Sequence, residues 1–234
     1  MSSTQTFNHP LYKADIEQVA GLNLPWHDLE NANVMISGAT GLFGTFLIDV
    51  LMFNNRARHL DCHVIALGRN AQKAHARFGE YWDSPYFTFK EVNLDNALTN
   101  ILDAPADYII HLASSTHPVE YATNPIGTIT TNIIGTRNLL DYAGQAHTKR
   151  FVFASSCEIY GENRNDVDTF DEQYCGYIDP NTLRAGYPES KRCGEALCQA
   201  YRVQKDRNRH PPVLTIIRTH NACNRHQGII TVHS

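Results

Sequence analysis

The sequence is short of the features that mark several large functional classes. Its six cysteines (Cys62, Cys157, Cys175, Cys193, Cys198, Cys223) form no Cys-x-x-Cys pair and no zinc-ribbon spacing, so no structural metal is expected and the thiols read as free, in a reducing compartment. Basic residues are not in excess: 20 Lys and Arg stand against 24 Asp and Glu, a formal charge of -4, which gives no electrostatic reason for nucleic acid or an anionic membrane as partner. No apolar run approaches the roughly 20 residues that span a bilayer. Met1 to Pro10 is polar and has neither a basic nor an apolar leader region, so a cytoplasmic location is expected.

What the chain does contain is an alternation. After a leader element (residues 1–32, with weak helical periodicity over Leu11–Leu22), an apolar strand at Asn33–Ser37 precedes a glycine-rich turn and an apolar helix over Leu42–Phe53. Further strands are expected at His63–Leu67, Phe87–Val92, Tyr108–Leu112, Phe151–Ala154 and Val213–Ile217. Helices are expected at Ala71–Phe78, over about 125–146 and from Pro188 to about Lys205. Strands that are continuous apolar runs, interleaved with helices, predict an α/β fold, a doubly wound parallel sheet covered on both faces. The domain reading is an arm over 1–32, a dinucleotide-binding domain over 33–218 and a divergent tail over 219–234.

The turn after the first strand is Gly38-Ala39-Thr40-Gly41-Leu42-Phe43-Gly44. In that position Gly38 permits the tight turn, Gly41 lets backbone approach a diphosphate, and Gly44 lets helix and strand pack closely. The free amides at the helix start face the diphosphate charge. The second strand ends Leu67-Gly68-Arg69-Asn70 without a carboxylate. An acid there would bind the adenosine ribose of NAD; Arg69 favours the 2'-phosphate of NADP, a solvated loop arginine being the alternative. Asn93-Leu94, after the third strand, stands where an adenine contact is expected.

Tyr187-Pro188-Glu189-Ser190-Lys191 sets a phenol and an amine four apart, on one helical face. A phenol near pKa 10 is a poor base at neutral pH, and an adjacent ammonium is expected to lower it. Strand five ends Ala154-Ser155-Ser156-Cys157-Glu158, and Ser156 supplies a hydroxyl to complete the set.

The ordered series GATGLFG, HLASSTHP, TNIIGTRNLL, SSCEIYG and YPESK resembles the extended short-chain dehydrogenase/reductases, the NAD-dependent epimerase/dehydratase family, over about Val34–Arg218. The resemblance implies NAD, or NADP as Arg69 favours, held between the glycine turn and the Tyr-Lys pair. It implies that Lys191 holds the nicotinamide ribose and that Tyr187 takes the sugar 4-hydroxyl proton as hydride leaves C4. Ser156 would bond the same oxygen. His111, Leu112, Ala113 and Ser114 would line the nicotinamide pocket, with Asn132 on the helix behind.

Within the family, 4,6-dehydratases carry an Asp-Glu pair after the serine position, one acid to expel the C6 hydroxyl and one base to take the C5 proton. Here the pair is Cys157-Glu158, and a thiol near pKa 8.5 is the weaker acid. The triplet is more similar to the UDP-glucuronate decarboxylases, as are HLAS and Arg184-Ala185-Gly186-Tyr187; Glu158 is a candidate catalytic carboxylate, loop anchoring its alternative role. A nucleoside-diphosphate sugar is the implied substrate and a homodimer the implied assembly. A 4,6-dehydratase, a 4-epimerase, an NADPH-dependent 4-reductase and a non-catalytic dinucleotide-binding protein are the alternatives. The family continues beyond strand six into a substrate lobe, whereas this sequence runs into Thr219–Ser234, so the chain is expected to be truncated or frame-changed there.

Overall fold

The computed structural model describes residues 9–98, 105–114, 123–204, 211–219 and 230–232. They fall into two compact units, residues 1–93 with 100–112, and residues 94–99 with 113–234.

In the first unit the elements are α1 (Pro10–Ala20), β1 (Asn33–Ser37), α2 (Leu42–Arg58), β2 (His63–Gly68), α3 (Ala71–Phe78), β3 (Phe87–Glu91) and β4 (Tyr108–His111). The strands lie in the order β3-β2-β1-β4, all parallel, with Val34 in register with Val64 on one side and Tyr108 on the other. Parallel strands are covered on both faces, which is why β1 and β2 are apolar without alternation. Ile36, Val64 and Ala66 bury against Ile48 and Met52 of α2 and against Phe78 and Phe87.

Two local signals fix the helices. Asn70 caps α3, its Oδ1 accepting from Lys73 N at 2.7 Å, and α2 ends where His59 turns left-handed at φ 54°. The leader contributes α1, which lays Ile16 and Ala20 on Val50 and sets Tyr12 edge-on to Phe46 at 5.8 Å.

The second unit holds α4 (Pro125–Thr130), a π-helical segment (Thr131–Gly135), α5 (Thr136–Gln145), β5 (Arg150–Ser156), α6 (Gly186–Val203), β6 (Val213–Thr219) and β7 (Ile230–Val232). Strand β6 pairs parallel with β5 and antiparallel with β7. The uninterrupted helix expected over 125–146 is therefore corrected: its middle is wound as a π segment. The cause is tertiary, since Asn132 in that segment is tied by its side chain to Ser114 and Ser190, and such bulges are a recognised way to re-aim a side chain. The helix expected from Pro188 begins two residues earlier, which puts Tyr187 in its first turn. Gly194 lets α6 press onto β5, because a Cβ there would lie 2.5 Å from the Phe153 ring. Most of the tail from 219 onward lies outside the described residues.

Candidate active site

The first unit carries the glycine turn at the carboxyl end of β1. Gly38 has φ 71°, a conformation that excludes most side chains. Gly44 faces the same turn from α2: a Cβ there would stand 2.5 Å from the Gly38 carbonyl oxygen and 2.8 Å from that of Ala39. Both obstacles are backbone, so the turn cannot yield cheaply. Thr40 is half-buried, while Leu42 and Phe43 are 80% and 52% exposed at the head of α2, an apolar pair facing outward from a backbone cradle. Gly44→Ala is expected to cost about 1–3 kcal/mol of stability through this overpacking and to weaken dinucleotide binding, measured together by denaturation and NADH fluorescence titration.

Beside the turn, Ser37 and His111 end β1 and β4 and share a buried hydrogen bond, Oγ to Nδ1, of 2.7 Å. His111 is thus held within the unit by Ser37. Leu112 donates its backbone N–H to the Ser37 carbonyl. Arg69 and Asn93 are exposed at the ends of β2 and β3.

The second unit gathers the residues expected to do chemistry. Tyr187 is buried, and its phenol is hydrogen-bonded to the side chains of Ser156 and Ser114. Ser156 Oγ accepts from the Glu158 backbone N–H at 3.2 Å, which turns the chain out of β5. Ser114 Oγ donates to Asn132 Oδ1 at 2.7 Å; Asn132 Nδ2 donates to Ser190 Oγ at 2.9 Å; and Ser190 Oγ donates to the Tyr187 carbonyl at 2.7 Å. A closed ring of hydrogen bonds therefore joins the phenol to its own helix through the π segment. Ala113 precedes Ser114 and is half-buried. Leu94 is buried, with its carbonyl accepting from Asn138 Nδ2 at 2.8 Å.

Lys191 is 2% exposed. Its Nζ donates to the Ala154 carbonyl at 2.7 Å and stands 4.9 Å from the Phe153 ring centre and 6.0 Å from that of Tyr187. Burial pulls the amine down to about 7. The phenol behaves contrary to the sequence expectation: burial holds Tyr187 above its ordinary value, Glu158 adds to this, and the bonds with Ser156 and Ser114 oppose it. An amine that has itself given up part of its charge to desolvation near neutral pH is a weaker lowering cation. Glu158 lies 3.8 Å from Arg184 Nη2, an ion pair at the rim in which the arginine is exposed.

Several contributors had no motif to announce them. Ser190 was legible only as a spacer between Tyr187 and Lys191. Arg192 pins the turn after β5, donating to the Ile159 and Gly176 carbonyls at 2.7 and 2.8 Å. Arg218 pairs with both Glu195 oxygens at 3.0 and 2.8 Å and donates to the Tyr160 hydroxyl at 3.2 Å. His59 and His63 stand four apart in sequence, but one ends α2 and the other opens β2 bonded to Thr88. Among the described residues no group of three or more metal-ligating side chains forms.

The chain matches the NAD dependent epimerase/dehydratase family over residues 34–223. It is 34% identical over 176 residues to UDP-glucuronic acid decarboxylase 1 of Xenopus tropicalis, covering 75% of this chain and 39% of that protein. It is 33% identical to UDP-glucuronic acid decarboxylase 3 of Arabidopsis thaliana, covering 74% and 47%. The chain thus spans less than half the length of these curated relatives. Among solved structures it is similar to a UDP-glucuronic acid 4-epimerase from Bacillus cereus, in complex with a fluorinated UDP-glucuronic acid and NAD (TM-score 0.62, 21% identity, 79% of this chain and 55% of that one). It is similar too to the dTDP-glucose 4,6-dehydratase DesIV from Streptomyces venezuelae with NAD bound (TM-score 0.59, 24% identity, 72% and 51%). Both likenesses show the doubly wound Rossmann fold.

Proposed function

The chain belongs to the NAD dependent epimerase/dehydratase family, and we propose that it derives from, and retains the reacting groups of, an enzyme that oxidises C4 of a nucleoside-diphosphate sugar and then decarboxylates it. The observation that carries this reading is the buried Tyr187 phenol bonded to Ser156 and Ser114, with Lys191 on the same helix. The glycine turn fits a diphosphate, since only the absence of a Cβ at Gly44 keeps its carbonyls and amides at their spacing. The cofactor proposed is NAD or NADP, the latter favoured by Arg69; when bound it accepts the hydride from C4. Gly38, Thr40, Gly41, Leu42, Phe43 and Gly44 hold its diphosphate end. Asn93 and Leu94 serve the adenine, Leu112, Ala113 and Ser114 the nicotinamide side, and Lys191 the ribose.

In this reading Tyr187 takes the C4 hydroxyl proton and Ser156 bonds the same oxygen as it becomes a carbonyl. A carboxylate on C5 is then β to a ketone. Its C–C bond breaks to release carbon dioxide, and the electron pair passes into the C4–C5 enolate, whose oxygen Tyr187 and Ser156 stabilise. Return of a proton to C5, then of the hydride to C4 with Tyr187 giving its proton back to the C4 oxygen, yields the pentose, and no acid is needed to expel a hydroxyl. Cys157, standing where a dehydratase needs an acid, favours this over 4,6-dehydration. The relatives' names support it as well.

We propose a cytoplasmic homodimer, formed through α4 to α6, a reading to which the exposed Ile126 and Ile134 are suited. Among the described residues no helix is long and apolar enough to cross a membrane. The test is to incubate the purified chain with added NAD or NADP and UDP-glucuronate, dTDP-glucose or UDP-glucose, and read products by mass spectrometry. Carbon dioxide and a pentose nucleotide from UDP-glucuronate are expected. A 6-deoxy-4-keto product or a C4 epimer instead transfers the reading to the dehydratase or epimerase branch. Dinucleotide binding without turnover on any of the three leaves a binding protein.

A further inference from the structure

We infer that the chain selects the 2'-phosphorylated dinucleotide, with Arg69 and Lys73 as the two cations that hold the phosphate. The inference rests on the dinucleotide reading above and narrows it. In a cradle of this kind the adenosine ribose comes to the end of the second strand, where a carboxylate takes the free 2'-hydroxyl or an arginine takes a 2'-phosphate.

Strand β2 ends Leu67-Gly68-Arg69-Asn70, and each position argues against the hydroxyl-binding arrangement. Gly68 carries no side chain to reach a hydroxyl, and a Cβ there would stand close to the Phe89 ring, at 3.1 Å. Asn70 offers a carbonyl-type acceptor, but that oxygen is already engaged in capping α3. Glu91, in register beside Gly68 on β3, is the carboxylate of the adjoining strand end, and among the described residues it makes no ion pair with Arg69.

Three cations follow β2. Arg77 is consumed, buried against Asp49. Arg69 and Lys73 are different: both are exposed, and among the described residues neither side chain makes a hydrogen bond or ion pair. The Asn70 cap fixes Lys73 as the third residue of α3, four after Arg69. Two uncommitted cations at the ribose position, with no carboxylate on β2 or its turn, form a site for a dianion and a poor one for a sugar diol.

The test is titration of the full chain with NADPH and with NADH, followed by nicotinamide fluorescence. NADPH is expected to bind about tenfold tighter or more, the increment of one charge-assisted phosphate contact. Arg69→Ala is expected to bring NADPH down to the affinity of NADH while leaving NADH unchanged, and Lys73→Ala to do the same in smaller degree. Arg69→Asp, which places a carboxylate at the ribose, is expected to reverse the preference, a gain that a misfolded variant cannot give. If the parent binds NADH as tightly as NADPH, or if Arg69→Ala weakens both alike, the inference is overturned and the dinucleotide site stands. If neither dinucleotide binds, both fall.

Discussion

Replacing Asp49 by alanine is expected to cost about 3–5 kcal/mol of folding free energy, the usual consequence of removing one partner from a buried ion pair. Asp49 lies on α2 with its side chain fully buried, and it is paired with Arg77 of α3, itself only 8% exposed. Its carboxylate also accepts from the Tyr12 hydroxyl at 2.6 Å and the Tyr81 hydroxyl at 3.1 Å. One carboxylate thus ties α1, α2 and the segment after α3 together. Burial raises Asp49 above the ordinary carboxylate range despite these partners, so desolvation outweighs pairing and the ion pair itself adds little net stability. The damage in Asp49→Ala comes from what the carboxylate no longer does: the buried Arg77 guanidinium loses its counter-charge, and the Tyr12 and Tyr81 hydroxyls lose the oxygens they donate to. The paired replacement Asp49→Leu with Arg77→Met should accordingly recover most of the loss. Urea denaturation of the parent, the single and the double variant decides it. A single variant within about 1 kcal/mol of the parent would show that water reaches Arg77, contrary to the burial argument.

The tie that Asp49 makes also shows what sequence reading could not reach. The six parallel strands and their helices were legible because long apolar runs at strand or helix period leave little choice. The glycine turn was legible because its requirement is steric and local. Tyr187 and Lys191 were legible because four residues is one helical turn. The Tyr12, Asp49, Arg77 and Tyr81 cluster depends on three separate segments meeting, and no local pattern announces it. The π segment has the same character: its cause is Asn132 reaching Ser190, far along the chain, while its own residues read as ordinary helix. The titration of Tyr187 was misjudged for a related reason. Spacing places an amine beside a phenol, but only packing reveals that Gly194 draws α6 onto Phe153 and takes the water from both.

That desolvated amine gives the second large effect. Lys191→Met is expected to stabilise the fold near pH 6.5 and to lose most of that advantage by pH 9. The folded amine titrates at about 7, against 10.5 for an unburied lysine. Below pH 7 both folded and unfolded chains carry the proton, and the folded chain bears the full cost of a buried ammonium. Between about 7 and 10.5 the folded amine is neutral while the unfolded chain still binds the proton, so stability rises with pH through that window. Each unit is worth about 1.4 kcal/mol, hence about 2–3 kcal/mol between pH 7 and 9. No nearby anion removes the cost: Cys198, buried beside the amine, is pushed up to about 12 and stays a neutral thiol, and Glu195 is already committed to Arg218. Other titrating groups are common to parent and variant, so the difference between their denaturation curves at the two pH values isolates Lys191. A difference that does not change with pH would mean the amine keeps its charge in the fold. The same variant should lose sugar-nucleotide turnover at every pH, because methionine cannot hold a ribose hydroxyl. Stability gained at acid pH together with activity lost throughout would identify Lys191 as a group kept for chemistry at a cost to the fold.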